Sequence, residues 1–470
     1  MPLKYLLSSL LIFLIVASPS SSIADATVKI PLNKSADWTT NPELPADSFI
    51  SFIVNRGRSD TEKFLQLVDT HWRPNLFPLL LESMVYIRSD QTRSKIKLLL
   101  RKKTGNYRAR NPNQWFKWWW QNRQDYPSDY ANFKAKLYAL IDPSFYLYFK
   151  DRQDSAKILL DEIRWGGVPR DGIPPLHSPK MLEVEQASYL KDHHIVFGTY
   201  VEGVARAYPK RILAWHEMFT DNYGDLPVAG VYCTLCGTVI LYKTKHKEIV
   251  HRLGTSGFLY RSNKLMYDKD TFSLWNTFTG KPVLGPLVDQ GIELESLSVV
   301  TTSWGEWKKR HPETLVLSQE TGHQRDYREG VAYREYFADH KLMFEVPFDD
   351  ERLKNKQEIL AIRLPGAPEQ QLAIDTDFLK DNPIFYEKIG TQEFVVLTDN
   401  SGANRVYQSN GILFKSFDQA NTLTDNKGIK WQLHEDRLLS VSGDTLERLP
   451  YHRAFWFGWH AAFPETKLIK

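Results

Sequence analysis

At 470 residues the chain exceeds the roughly 250–300 residues over which one hydrophobic core usually grows, so two or more domains are expected. Its 42% hydrophobic and 13% aromatic content is ample for buried cores, and 14 tryptophans favour large packed interiors over an exposed flat-ligand site. With 60 Lys and Arg against 56 Asp and Glu the formal charge is only +4, which removes any need for a nucleic-acid or membrane partner.

The first 26 residues read as a secretory signal peptide. Lys4 supplies the positive start, Leu6 to Ala17 is almost wholly apolar, and Ala24-Asp25-Ala26 forms an A-x-A-like cleavage site. The apolar run is too short to cross a hydrocarbon layer about 30 Å thick as a helix, so cleavage is expected rather than anchoring. No cysteine lies near the cleavage site, which excludes a lipid-modified bacterial N-terminus, and no later stretch is long and apolar enough to span a membrane. The mature protein is expected to be soluble and exported, periplasmic or extracellular.

Residues 27–165 read as a helical domain. Ser59-Asp60-Thr61-Glu62 is a capping box leading into Phe64, Leu65 and Val68. A second helix runs from Pro78 towards Ile87, and Ser89 caps a third that stops near Gly105. Asn111-Pro112 opens a helix whose Trp115, Trp118 and Trp119 share one face, and Ser128 to Ile141 forms another. Amphipathic helices joined by short turns suggest a paired-helix array without a strict period. The basic run Arg101-Lys102-Lys103 reads as a solvated helix end favoured by the helix dipole.

A boundary falls at Gly166-Gly167, followed by a Pro- and Gly-rich stretch to Pro175. Residues 166–470 then read as a β-rich domain, mainly antiparallel, which makes the fold class α+β. Ile195 to Tyr208 alternates around a Glu202-Gly203 hairpin turn. Val228 to Tyr242, Phe258 to Tyr267 and Phe394 to Leu397 are further β-type runs, with helices at Ile212 to Phe219 and Thr302 to Arg310. The common nucleotide-binding and hydrolase motifs are absent from the sequence.

The densest chemistry lies in Val231-Tyr232-Cys233-Thr234-Leu235-Cys236-Gly237-Thr238, which holds the chain's two cysteines. Residues i and i+3 of a plain strand face opposite ways, so the two sulfurs converge only if the chain turns between them. Gly237 supplies a residue able to take φ > 0 for that turn. Three readings follow: a structural or redox-active disulfide, as an exported compartment favours; a thiolate pair binding a copper or zinc ion; and an inert buried pair. A structural zinc site needs further ligands, and His216, His246 and His251 are the histidines nearest in sequence.

Around this motif run Arg206-Ala207-Tyr208-Pro209, Trp215-His216-Glu217, Gly254-Thr255-Ser256-Gly257, Ser262-Asn263, Met266-Tyr267-Asp268, Ser273-Leu274-Trp275, Arg325-Asp326-Tyr327 and His452-Arg453-Ala454-Phe455-Trp456-Phe457. In this order they resemble the bacterial family known as domain of unknown function 3179, from about Gly166 to Leu468. The resemblance implies a domain and its bounds, and no activity. Thr234 stands where that family usually has proline, and Asn276-Thr277 replaces its usual Ser-Gln.

Three functional classes are therefore expected. In the first, Cys233 and Cys236 are the working groups of a thiol-redox or metal-handling protein, with His216 as a further metal ligand and a periplasmic redox or metal-transfer protein as partner. In the second, Arg261, Asn263 and Trp275 bind a polar, carbohydrate-like ligand beside Asp268 as a catalytic acid or base. A scaffold whose helical array docks another protein is a third. Whether the protein is an enzyme stays open at this stage.

Overall fold

The computed structural model describes residues 43–54 and 58–470. The signal-peptide segment and the Ser59 side chain of the expected capping box lie outside the described residues. Helices in residues 46–149 precede many antiparallel-rich sheets, which is the α+β order expected. The described helices include none long and apolar enough to cross a membrane.

The chain forms two compact units. The first takes in the described residues up to Asn106, then Gln124–Asp154 and Trp165–Arg170. Of its helices, Phe77–Tyr86, Asp90–Thr104 and Tyr130–Ala139 follow the sequence signals closely, Arg58–Thr70 begins one residue before the Ser59 expected to cap it, and Ala46–Val54 had no signal of its own. The Ser89 side chain accepts a bond from the Thr92 N–H at 3.2 Å, and Gly105 closes the same helix at φ 69°, bonded back to the Arg101 carbonyl. Phe52 stacks on Phe64 at 4.4 Å between ring centres. Deeper in this unit the Lys134 ammonium is fully buried against Glu82, 2.7 Å away, with the Tyr130 and Tyr138 rings beside it.

The second unit comprises Tyr107–Arg123, Ser155–Arg164 and Asp171–Lys470. The tryptophan-rich helix Pro112–Gln121 and residues 155–164, read from sequence with the helical domain, thus cluster with the β-rich unit. Side-chain bonds give the reason. Trp119 Nε1 donates to Asp161 at 2.7 Å, Arg123 bonds both Asp161 and Glu162, and Glu162 in turn holds Arg261 at 2.5 Å.

Within this unit the hairpin Ile195–Val201/Val204–Pro209 turns on Glu202 and Gly203, both at positive φ, where the sequence placed its turn. The helix expected at 212–219 runs instead over Lys210–His216, because Glu217 takes φ 54° and Met218–Tyr223 continues as a strand. The run Phe258–Tyr267 is likewise a hairpin, Leu253–Tyr260 with Asn263–Asp268, turning on Arg261 and Ser262 at φ 49° and 66°. One five-stranded sheet contains Met218–Tyr223, Leu226–Cys233 and Thr238–Lys243 in antiparallel succession. Alternation along its two central strands sends Val228, Tyr232, Val239 and Leu241 into one core and Ala229, Val231, Ile240 and Tyr242 into another. The second core also holds Ile359 and Ala361 from the strand Glu358–Arg363 and the tryptophans Trp456 and Trp459 of the helix Trp456–Ala462. The cysteine hairpin is in this way wedged between layers that bury both its faces.

Candidate functional site

Cys233 ends one strand and Thr238 begins the next, directly opposite it in the ladder. Between them the Cys236 N–H bonds the Cys233 carbonyl at 3.2 Å, closing a turn. Such a turn keeps its end Cα atoms within about 7 Å, a separation that overlaps what a disulfide spans. Gly237 sits at φ 60°, and a Cβ there would lie 2.9 Å from the Phe455 ring, so only glycine fits. Gly458 meets the pair from the other side, where an added Cβ would sit 3.0 Å from the Cys236 sulfur. Both cysteines are free thiols, 2% and 0% exposed.

Burial raises the pKa of any thiol by penalising its charged form, yet the two sulfurs are not alike. At Cys233 that push is outweighed by the Cys236 thiol and by the backbone N–H groups of Lys264 and Cys236, which hold it below the ordinary thiol range. Cys236 is driven well above that range by burial and by its neighbour Cys233, and the Asn263 side chain offsets only part of this. Its S–H donates to the Ser262 carbonyl at 3.2 Å. The two thiols are therefore pushed in opposite directions, Cys233 down and Cys236 up.

A buried ion pair adjoins the sulfurs. The Lys264 ammonium donates to Glu217 Oε2 at 3.0 Å, and the Tyr333 hydroxyl donates to Oε1 at 2.9 Å. The Glu217 carbonyl accepts the N–H of Tyr232, beside Cys233, and the Glu217 charge opposes ionisation of both thiols. Tyr336, Val346, Phe455 and Phe457 pack over the knuckle, with the Tyr336 hydroxyl donating to the Leu235 carbonyl at 2.7 Å. Thr234, in the turn itself, buries a hydroxyl that has no hydrogen-bond partner among the described residues.

Of the residues singled out in the sequence, the structure brings Cys233, Cys236 and Asn263 together. Arg261 lies in the adjoining turn, but its guanidinium is committed to Glu162 and to the Ala461 carbonyl at 2.8 Å. Asp268 and Trp275 form a different cluster with His251. The Asp268 Oδ1 accepts from Asp270 N–H, Thr271 N–H and the Thr271 hydroxyl, and Oδ2 faces His251 Nδ1 at 3.3 Å. Burial raises the Asp268 pKa, but the bonds from His251 and Thr271 more than offset it and hold the carboxyl below its ordinary range, in its charged form. The His251 ring lies 5.0 Å from that of Trp275.

His216 does not reach the sulfurs as a ligand. Its Nδ1 is 2.8 Å from the Pro174 carbonyl and its Nε2 is 2.5 Å from the Tyr327 hydroxyl, so both nitrogens are occupied. Burial, with His323 and Arg325 nearby, brings its pKa down to about 4. Among the described residues no group of three or more His, Cys, Asp or Glu side chains is arranged to hold a metal ion.

Sequence reasoning passed over Glu217 and Lys264 as functional groups. The signal was there for Lys264: a charge beside the apolar run Leu265-Met266-Tyr267 of the strand Asn263–Asp268 must find a partner once buried.

The fold and the site define a β-rich domain built around a buried hairpin of two unequal thiols. The sequence model of the family described as protein of unknown function (DUF3179) matches residues 170–466, and the chain belongs to that family. No curated protein and no solved structure matches it.

Proposed function

We propose that this protein is a thiol-redox protein of an exported compartment, cycling between the Cys233/Cys236 dithiol and its disulfide. The observation that carries this reading is the tight turn that holds both buried sulfurs, with Cys233 opposite Thr238 and the Cys236 N–H bonded to the Cys233 carbonyl at 3.2 Å. The opposite directions in which the two thiols are pushed agree with it. A nucleophilic thiol gains from a lowered pKa, and a resolving thiol must wait in reach until the mixed disulfide forms. In the first step the Cys233 thiolate attacks a sulfur of a substrate disulfide; a new S–S bond forms and one substrate thiolate leaves. Cys236 then attacks the Cys233 sulfur, the internal disulfide closes, and the second substrate thiolate leaves and takes up the proton Cys236 gives up. The disulfide is reduced to two thiols as the protein is oxidised by two electrons.

Burial selects the partner. Small disulfides reach the pair more readily than folded proteins, which must first displace the Tyr336 side of the cover. Zinc handling is less favoured, because a zinc site takes four ligands and the geometry offers two sulfurs without a histidine.

Hydroxyethyl disulfide is a suitable small oxidant. The wild-type protein is expected to release two equivalents of mercaptoethanol and to lose both free thiols. Cys236→Ser stops at a mixed disulfide on Cys233, and Cys233→Ser does not react, as mass spectrometry of the intact chain reads directly. Equal reactivity of the two single variants, or none in folded wild type, overturns the reading.

A further inference from the structure

Cys233 and Cys236 lie beneath a long connection. Between the strands Leu315–Leu317 and Glu358–Arg363 the chain forms one regular element, the five-residue helix Arg334–Ala338. Connections of that length with so little regular structure are uncommon in compact domains and often serve as active-site lids. The part from 334 to 346 covers the knuckle directly. Its underside is apolar: Tyr336 and Val346 are 7% and 2% exposed in the cluster that holds Cys233, Cys236 and Leu235, with Phe337, Leu342 and Phe344 half-buried beside them. Its outer side is charged, and Arg334, Glu335, Asp339 and Lys341 are all exposed.

Polar ties are sparse, and this stretch joins no strand ladder. Among the described residues, the Tyr336 hydroxyl donates to the Leu235 carbonyl and the Ser262 hydroxyl to the Phe344 carbonyl at 3.4 Å. Lys117 adds a looser ion pair with Glu345, 3.7 Å apart. The strongest tie comes from Lys356, whose ammonium donates to the carbonyls of both Tyr336 and Asp339 and lies 3.5 Å from the centre of the Tyr336 ring. Lys356 is itself a fixed post, because the flanking Asn355 and Gln357 carbonyls accept the N–H groups of Phe457 and Trp456. At the other end the chain kinks at Gly330 and Tyr333, with φ 69° and 54°. Kinks of this kind are where a hinge absorbs a change of backbone angle.

We propose that residues 334–346 are a lid over the dithiol, hinged near Tyr333 and latched by Lys356, which opens locally to admit the substrate disulfide. A segment held by apolar packing and a few bonds opens at far lower cost than the sheets beneath it. The inference rests on the redox reading for what enters, and on the geometry alone for the opening.

Alkylation of the folded full chain with N-ethylmaleimide at rising urea, below the unfolding transition, tests this. The reagent forms a thioether with any thiol it reaches, so its outcome is independent of disulfide exchange. Cys233 is expected to label far more slowly than in the unfolded chain, at a rate nearly flat in urea, because opening the lid exposes little surface. Lys356→Met keeps the stem over the ring and removes the charged donor, so labelling should quicken at least about tenfold with the flat dependence kept. Tyr336→Phe removes only a hydroxyl and should give a smaller rise. Deuterium uptake over residues 334–346 should increase in both variants while Leu226–Cys233 and Thr238–Lys243 stay protected. Three results overturn the lid even where hydroxyethyl disulfide exchange succeeds: labelling that climbs with urea as steeply as global unfolding, labelling as fast as in the unfolded chain, or a wild-type rate in folded Lys356→Met. The urea dependence of the wild type alone decides if a variant does not fold.

Discussion

Glu217→Gln is expected to destabilise the protein by about 3–5 kcal/mol while making the Cys233 thiol more acidic. Glu217 is the partner of a buried ammonium, with Lys264 Nζ 3.0 Å from its carboxylate and both side chains less than a tenth exposed. Breaking such a pair leaves an uncompensated buried charge, which is where the stability goes. The same carboxylate opposes the Cys233 thiolate, so removing its charge and freeing the Lys264 cation both favour ionisation. Urea unfolding reads the first effect and thiolate absorbance the second. A variant that loses stability with no change in Cys233 acidity would show the ion pair to be structural alone.

Arg405→Met should cost a comparable amount, about 3–5 kcal/mol at neutral pH. Arg405 is 1% exposed and donates to Asp399 and to Glu435, each at 2.8 Å, while Arg448 holds Glu435 from a second side at 3.1 Å. Burial pushes both carboxyls up, but the charge of Arg405 and the bonds around it win. Glu435 ends well below its ordinary range and Asp399 below it too. Groups depressed in the folded state contribute stability that is complete above the unfolded carboxyl range and is lost as pH falls through their folded values. Wild type therefore loses this contribution below about pH 4. The stability gap between wild type and Arg405→Met should narrow over the same interval, read by urea unfolding at several pH values. A gap independent of pH would mean that packing, and not charge, holds the network.

Features written in short stretches were legible in the sequence. The Ser89 cap, the Gly105 stop, the Glu202-Gly203 turn and the cysteine knuckle with its glycine each carry their cause within a few residues. What escaped depends on partners far along the chain or on unmarked backbone. Arg261 and Ser262 take positive φ without the glycine or asparagine that usually signals such a turn, so the two strands they join read as one run. Arg261 and Asp268 looked available because their partners, Glu162 and His251, are remote in sequence. The same distance hid the tie of the tryptophan helix to Asp161, and so the composition of the second unit. At the site itself the sulfurs were evident and Asn263 was assigned to a separate polar-ligand site, whereas Glu217 and Lys264 meet only through folding, 47 residues apart.

Ultraviolet titration of thiolate absorbance in the folded protein, with Cys233→Ser and Cys236→Ser as references, tests the unequal pair most directly. One thiolate is expected to appear below the ordinary thiol range, near 8.5, and to vanish in Cys233→Ser; the second should not ionise until far higher pH. Two thiols titrating together, or an acidic step that survives in Cys233→Ser, would contradict the assignment of Cys233 as the reactive sulfur.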